Sequence, residues 1–217
     1  MNRMLLTALL LLPLGAQAAT DATTTLVSTA DATTAPGPTV PIAALDAGLT
    51  ATMKASGTQS FPARFAALAP VVDRSFDLAT VIRVVVGLRW TGLPAAQQTA
   101  LLAVFRAYTI AQYVSSFNSN DGTSFSVLPD QRSVGADVVV ETQVMPGNGG
   151  DPTRIDYVVR QESGGWRAID VLLEGTISQA AVQRSDFRSF VDDGDASRLI
   201  ASLKQKVNDL SGGTVQG

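Results

Sequence analysis

The sequence predicts an α+β fold in which helices pack on one face of a curved, four-stranded antiparallel sheet. Apolar residues recur every three or four positions over residues 42–117, alternate with polar residues over 124–174, and return to helical spacing over 178–210. Only short turns separate the alternating segments, and short turns join antiparallel strands. Because the middle helices are apolar nearly all round, we expect them to be covered on several sides and to lie against the sheet.

The composition describes a globular chain and excludes several classes of function. The 217 residues are 46% hydrophobic, which is enough for one compact domain with a substantial core. The net charge is −3 and the 16 Lys and Arg residues form no run, so nucleic acid is not an expected partner. With no Cys and no His, the chain lacks thiol nucleophiles, imidazole bases and the preferred ligands of zinc. We therefore predict no metal, no cofactor and no enzymatic activity.

The N-terminus predicts a secretory signal peptide over residues 1–18. Arg3 supplies a positive charge, residues 4–14 form an apolar run, and a small-x-small pattern ends at Ala18, where we expect cleavage. The apolar run is too short to span a bilayer, and no Cys follows it to carry a lipid anchor. The expected location of the mature chain is the bacterial periplasm.

A tether and one folded domain are expected after the signal peptide. Residues 19–41 are rich in Ala, Thr and Pro and have no sustained period, which is typical of a disordered linker. Residues 42–211 form the predicted α+β domain, and residues 212–217 form a flexible tail. Within the first helices, Asp77 is placed to cap a helix, and Pro70 should bend or split the helix before it.

The helix predicted over residues 93–117 organises the fold, because Arg106 is its only charged residue. One apolar stripe contains Leu101, Val104, Phe105, Tyr108 and Ala111, and a second, displaced around the axis, contains Ile110, Tyr113, Val114 and Phe117. Two interpretations stay open. The helix is either a central core helix, or it packs one stripe on the fold and lines an apolar cavity with the other.

The four predicted strands cover residues 124–128, 135–145, 153–161 and 166–174. An odd loop length between the last two strands keeps apolar residues opposite one another, and a three-residue loop sets Ile155 opposite Leu173. The face of the sheet opposite these apolar residues then carries charged residues, which we interpret as a solvated ladder rather than an acid–base pair. Its members are Arg154, Asp156, Arg160, Asp170 and Glu174.

Several motifs resemble one known family. They are Gly87-Leu-Arg-Trp90 at the end of a helix, the helix over residues 105–117, the segment Gly165-Trp-Arg-Ala-Ile-Asp-Val-Leu-Leu-Glu-Gly-Thr-Ile-Ser178, and Arg184-Ser-Asp-Phe187. Over residues 43–210 the chain resembles the MlaC / toluene-tolerance family of periplasmic lipid-binding proteins, and within it the hopanoid-associated HpnM branch. The resemblance implies a helix-plus-sheet fold, NTF2-like in part, with a deep apolar cavity for lipid acyl chains.

The same resemblance implies a function, partners and a set of lining residues. Such proteins shuttle lipid between an inner-membrane ABC transporter complex and an outer-membrane acceptor, so we expect a monomer that binds a phospholipid or a hopanoid-type lipid. A carrier of this kind needs a chamber near about 1,000 Å³. The residues predicted to line it are Val81, Val85, Leu88, Trp90, Leu101, Val104, Phe105, Tyr108, Tyr157, Ile169, Val171 and Leu173, with Trp90 either at the rim or packed in a hinge.

Two other classes of function remain open from the sequence. An NTF2-like enzyme would need a titratable group inside the cone of the sheet, but the inward strand positions are aliphatic or Tyr157. A ligand-free periplasmic interaction module would have a solid core. The chain departs from the family pattern at Gln179, Gln183 and Ile169, and these departures bear on which lipid is bound rather than on the fold.

Overall fold

A computed structural model describes residues 37–217. Within this range the chain forms six α-helices and one five-stranded antiparallel sheet. The helices are α1 (Val40–Lys54), α2 (Phe61–Ser75), α3 (Leu78–Val86), α4 (Ala95–Ser116), α5 (Gln179–Phe187) and α6 (Ser197–Ser211). The strands are β1 (Ser124–Val134), β2 (Asp137–Met145), β3 (Thr153–Glu162), β4 (Gly165–Leu173) and β5 (Ile177–Ser178). Short 3₁₀ segments follow α3 (Gly87–Gly92) and α5 (Arg188–Phe190).

The N-terminal predictions fall largely outside the described residues. The signal peptide predicted over residues 1–18 lies outside them, and so do linker residues 19–36. Helix α1 begins at Val40, so the last two positions assigned to the linker are helical. In the range from 37 to 217, no helix is both long enough and apolar enough to cross a bilayer.

Local sequence signals set the boundaries of the first helices. The Asp77 carboxylate accepts a hydrogen bond from the backbone N–H of Thr80 at 3.0 Å, so the predicted cap of α3 is confirmed. Pro70 lies inside α2, which continues to Ser75, so the helix is not split there. A proline inside a helix removes one backbone hydrogen bond, and burial of the neighbouring Leu68 and Val72 offsets that loss.

The sheet is a meander in the order β1-β2-β3-β4-β5, and all its neighbours are antiparallel. The prediction of four strands is wrong, because a two-residue strand pairs with the end of β4. The turn before β5 depends on positive φ at Glu174 (52°) and Gly175 (70°). A strand of two residues is too short for alternation to reveal it.

A β-bulge at Ile169 sets the register between β3 and β4. The pairs Ile155–Leu173 and Val159–Ala168 differ by one position in register, with the shift between Val158 and Val159. The predicted pairing of Ile155 with Leu173 is confirmed, although the loop contains two residues, since Glu162 pairs with Gly165. The bulge, rather than an odd loop length, keeps apolar side chains opposite one another.

The charged ladder is not uniformly solvated. The Asp156 side chain is fully buried, and its Oδ2 lies 2.9 Å from Nη2 of Arg154 and 4.0 Å from Nη2 of Arg132. Arg154 also pairs with Glu141 at 2.6 Å. The prediction of a solvated carboxylate is wrong at Asp156, because two guanidinium groups and the backbone N–H of Thr142 at 3.4 Å compensate its burial.

Helix α4 lies at the centre of the helical layer, where it packs against α2, α3 and α6. Leu101, Ile110 and Val114 are fully buried. Its single charge, Arg106, makes a bidentate pair with Asp73 of α2 at 2.6 and 2.7 Å. Most of the apolar surface of α4 therefore belongs to the core, and part of the remainder borders a cavity.

Candidate functional site

A cavity of about 360 Å³ opens between the helices and the inward face of the sheet. Its walls come from α3, α4, β3, β4 and the start of α5. The lining residues are Phe76, Leu78, Val81, Phe105, Thr109, Gln112, Tyr113, Ser116, Phe117, Ile155, Asp170, Val171, Leu173, Gln179, Ala180 and Gln183. The cavity is smaller than the chamber of about 1,000 Å³ that the sequence predicts.

A row of aromatic rings borders the cavity on the side of α4. The ring of Tyr113 lies 6.1 Å from that of Phe76 and 6.3 Å from that of Phe117, measured between centroids. Phe117 in turn makes an edge-on contact with Phe125 of β1 at 5.2 Å. These rings fill part of the space between α4 and the sheet and give the cavity a stiff apolar surface.

Helix α4 presents one face to the cavity, and that face contains both aromatic and polar residues. The face consists of residues three or four positions apart, namely Phe105, Thr109, Gln112, Tyr113, Ser116 and Phe117. Ile110 and Val114 share a predicted stripe with two of these aromatic residues, but they are fully buried in the core. The second stripe of the sequence therefore divides between core and cavity wall.

The sheet supplies the aliphatic wall. Ile155 pairs with Leu173, and Tyr157 pairs with Val171, so the four side chains share the inward face. Tyr157 is 4% exposed and belongs to the core, while the three aliphatic residues line the cavity. This wall depends on the bulge at Ile169, because without the shift in register polar side chains would face inward.

The start of α5 adds polar groups to the cavity. The Asp170 carboxylate accepts hydrogen bonds from the backbone N–H of Ala180 at 3.0 Å and from the Ser178 hydroxyl, so it ties β4 to the first turn of α5. Gln179 and Gln183, four positions apart on this helix, both reach the lining. The cavity is therefore apolar at the sheet and partly polar along α4 and α5.

Tyr113 of the cavity lining interacts with two buried titratable groups, Tyr157 and Asp46, and all three have raised pKa values. Burial raises the pKa of Tyr113 and Tyr157 above their usual range, so both hydroxyls stay protonated at neutral pH. Asp46 of α1 is 9% exposed, and burial raises its pKa to about 7. The charge of Asp46 contributes to the raised pKa of both tyrosines, which shows that the three groups interact.

We expect Asp46 to make the domain less stable as the pH rises. Its folded-state pKa of about 7 is above the ordinary value of 3.8, so the folded state holds a proton that the unfolded state releases. The stabilisation is complete below the unfolded pKa and is lost as the pH rises through about 7. Asp46→Asn should remove this dependence and raise the free energy of unfolding at about pH 8 by roughly 2 to 4 kcal/mol.

Urea unfolding of the wild type and of Asp46→Asn at about pH 5 and about pH 8 measures this effect. Asp151→Asn is the control, because Asp151 is an exposed loop residue and should leave the wild-type pH dependence in place. If Asp46→Asn retained the wild-type difference between the two pH values, Asp46 would not be its source.

A groove of about 380 Å³ lies between the end of α3 and α5, and we call it the arginine groove. One wall is the end of α3 with the 3₁₀ segment after it, and the other is α5 with the 3₁₀ segment that follows. The groove is lined by Val85, Val86, Leu88, Arg89, Arg184, Phe187, Arg188 and Val191. In this lining, as far as the described chain contributes to it, every charged residue is an arginine.

The structure divides the predicted lining residues into three groups. Val81, Phe105, Val171 and Leu173 line the cavity, while Val85 and Leu88 lie in the arginine groove. The residues outside both linings are Leu101, Val104 and Tyr157, which are buried, and Trp90, Tyr108 and Ile169, which are partly buried. Leu88 is 93% exposed, because α3 ends at Val86 and the 3₁₀ segment turns this side chain outward.

Sequence reasoning missed the polar part of the lining. Hydrophobic periodicity identifies only apolar residues, so it did not indicate that Gln112 and Ser116 of α4 line the cavity. On α5 the sequence did contain an indication of polar lining residues, because Gln179 and Gln183 lie on one helical face and both depart from the family pattern. Two departures on the same face indicate a shared environment.

The chain is an α+β domain of the helix-on-sheet class. Its helices pack on one face of a curved antiparallel meander, and the cavity lies between the helices and the sheet. Residues 45–205 match the model of the MlaC protein family, and the chain belongs to that family. The family is periplasmic, and its phospholipid-binding proteins are carriers rather than enzymes.

The fold is also that of a solved structure, a phospholipid-binding protein from Ralstonia solanacearum in complex with a phospholipid. The two structures have a TM-score of 0.69 at 18% sequence identity, with 81% of this chain and 99% of that chain covered. At this identity the likeness shows a shared fold. A comparison with curated protein sequences gives no match.

Proposed function

We propose that this chain is a periplasmic carrier that shelters the acyl part of a phospholipid in the cavity between α4 and the sheet. The observation that carries the proposal is the construction of the cavity, where an aliphatic wall from β3 and β4 faces an aromatic wall from α4. Membership of the MlaC family and the phospholipid bound by the Ralstonia solanacearum protein support it.

The energetics of lipid transfer explain why such a cavity is needed. A phospholipid that leaves a bilayer exposes about 30 methylenes, and each costs roughly 0.8 kcal/mol in water. The total of about 25 kcal/mol makes unassisted passage through water negligible. Phe105 and Val171, on opposite walls of the cavity, replace water around the chains, and this role requires no catalytic group.

We further infer that the carrier exchanges lipid with an inner-membrane ABC transporter complex and an outer-membrane acceptor, and family membership supports this inference. A hopanoid-type lipid is the second candidate ligand. Gln179 and Gln183 bear on the choice between the two lipids, because they bring amide groups that can hydrogen-bond to the cavity lining.

Organic extraction tests the carrier function directly. The chain is purified from its periplasmic fraction without detergent, extracted with organic solvent, and the extract is analysed by mass spectrometry. We expect phospholipid at close to one molecule per protein, since the acyl chains leave the cavity only at a large free-energy cost. A hopanoid in the same amount would identify the second candidate.

A folded protein that yields no lipid would contradict the carrier function and would favour a ligand-free interaction module. Turnover of a small molecule by delipidated protein would instead favour an NTF2-like enzyme. Circular dichroism of an aliquot taken before extraction establishes that the protein was folded.

A further inference from the structure

Three arginines converge on the arginine groove from its two walls. Arg184 and Arg188 lie one helical turn apart, and Arg89, in the 3₁₀ segment after α3, contacts Arg188. Arg89 donates hydrogen bonds to the backbone oxygen of Arg188 at 3.1 Å and to Asp193 at 3.2 Å, which connects the two walls. In the described part of the chain, neither Arg184 nor Arg188 has a carboxylate within ion-pair distance.

The Arg184 guanidinium lies close to the backbone of Gly87. Gly87 has φ +68°, and a Cβ atom there would lie 3.1 Å from Nη2 of Arg184. The backbone conformation therefore favours glycine, and any other residue here would also displace the guanidinium by a few tenths of an ångström. The guanidinium rests against the backbone at the C-terminal end of α3, where its charge is also favourable for the helix dipole.

The arginine groove and the cavity are neighbours along the same two helices. On α3, Val81 faces the cavity and Val85 faces the groove. On α5, Gln183 faces the cavity and Arg184 faces the groove. On α3 the two lining residues are about one helical turn apart, and on α5 they are adjacent in the sequence, so the two spaces lie close enough for one phospholipid molecule to reach both.

We propose that Arg184, Arg188 and Arg89 bind the phosphate group of the lipid whose chains enter the cavity. The proposal rests on the carrier function proposed above. Guanidinium groups recognise phosphate through paired N–H donors. Among residues 37–217, no carboxylate lies in the groove lining, so the donors of Arg184 and Arg188 are available, whereas Arg89 contributes the Nη2 group that neither Asp193 nor the Arg188 backbone oxygen accepts from. The apolar residues between the arginines contact the methylenes next to the phosphate. The ligand class is a phosphate-bearing lipid, in preference to a neutral lipid with the same chains.

A competition between two lipids with identical chains tests the proposal. Delipidated full chain is incubated with vesicles that contain dioleoyl phosphatidylglycerol and dioleoylglycerol, and the lipids bound to the protein are quantified after the vesicles are removed. We expect the bound ratio of phosphatidylglycerol to dioleoylglycerol to fall at least about tenfold in Arg184→Gln/Arg188→Gln. The control, Lys204→Gln/Lys206→Gln, removes two exposed charges from α6 and should keep the wild-type ratio.

Two further measurements keep the result interpretable. Both arginines are exposed, so the unfolding midpoint of the double variant should stay within about 3 °C of the wild type. Arg184→Lys/Arg188→Lys retains the charges without the paired donors, and we expect an intermediate lipid ratio.

The outcomes separate this proposal from the carrier function. Uptake of both lipids in the wild-type ratio by Arg184→Gln/Arg188→Gln overturns the phosphate site and leaves the carrier function intact. Uptake of neither lipid by the wild type overturns both proposals.

Titration of delipidated protein with inorganic phosphate distinguishes the source of the phosphate. Arginine-dependent binding of free phosphate, combined with an unchanged lipid ratio, would overturn the assignment to a lipid headgroup.

Discussion

Val171→Glu is expected to reduce lipid co-purification at least about tenfold while lowering the unfolding midpoint by only about 5 °C. Val171 lines the aliphatic wall of the cavity and pairs with Tyr157 across the sheet. A carboxylate at this position can stay hydrated while the cavity is free of lipid, but it loses that water when acyl chains enter. The cost of burying the charge therefore falls on lipid binding more than on folding.

The measurement compares lipid per folded protein, by extraction and mass spectrometry, with the thermal unfolding midpoint of the same preparation. Val134→Glu is the control, because it places the same charge at a position of β1 that is 51% exposed. It should leave both quantities near their wild-type values. Equal loss of stability and lipid in Val171→Glu would show that this position is ordinary core.

Leu101→Ala should lower the free energy of unfolding by about 2 to 5 kcal/mol and leave the lipid content of the folded protein unchanged. Leu101 is fully buried and lies outside the cavity lining. The substitution removes buried methyl groups and leaves a void in the core, but it does not alter the wall that the lipid contacts. Urea unfolding and lipid extraction measure the two effects separately.

The matched variant is Leu88→Ala, since the sequence predicted both leucines as lining residues. Leu88 is 93% exposed, so its truncation should change the free energy of unfolding by no more than about 0.5 kcal/mol. A loss of lipid from the folded Leu101→Ala protein would show that the cavity extends to this part of α4. A loss of stability in Leu88→Ala would show that the side chain is covered.

The helical layer was predictable because its signals are local. Asp77 caps α3 as its position before an apolar run indicates. The stripe of α6 recurs every four residues, and Leu199, Leu203 and Val207 are all fully buried. Such signals depend on neighbours within one or two helical turns, so they can be read from the sequence without knowing which surface the helix packs against.

The details of the sheet were less predictable because they depend on pairing between strands. Alternation correctly indicated that Ile155 and Leu173 are partners, but the alignment comes from a bulge at Ile169 rather than from the loop. A bulge keeps the hydrophobic pattern of both strands intact, so the pattern does not reveal it. The burial of Asp156 depends on Arg154 and Arg132, which lie on β3 and β1 respectively.

The amino-acid sequence by itself determined the α+β class, the order of the helices and of the four longer strands, and the resemblance to the MlaC family. Only the tertiary structure decided which apolar residues line the cavity and which fill the core. Phe105 and Leu101 share one stripe of α4, yet only Phe105 reaches the cavity. The physical reason is that periodicity shows which side chains are buried. Whether a buried side chain contacts another element or borders the cavity depends on the elements packed against it. Arg89 and Arg188, 99 positions apart, meet only because α3 packs against α5.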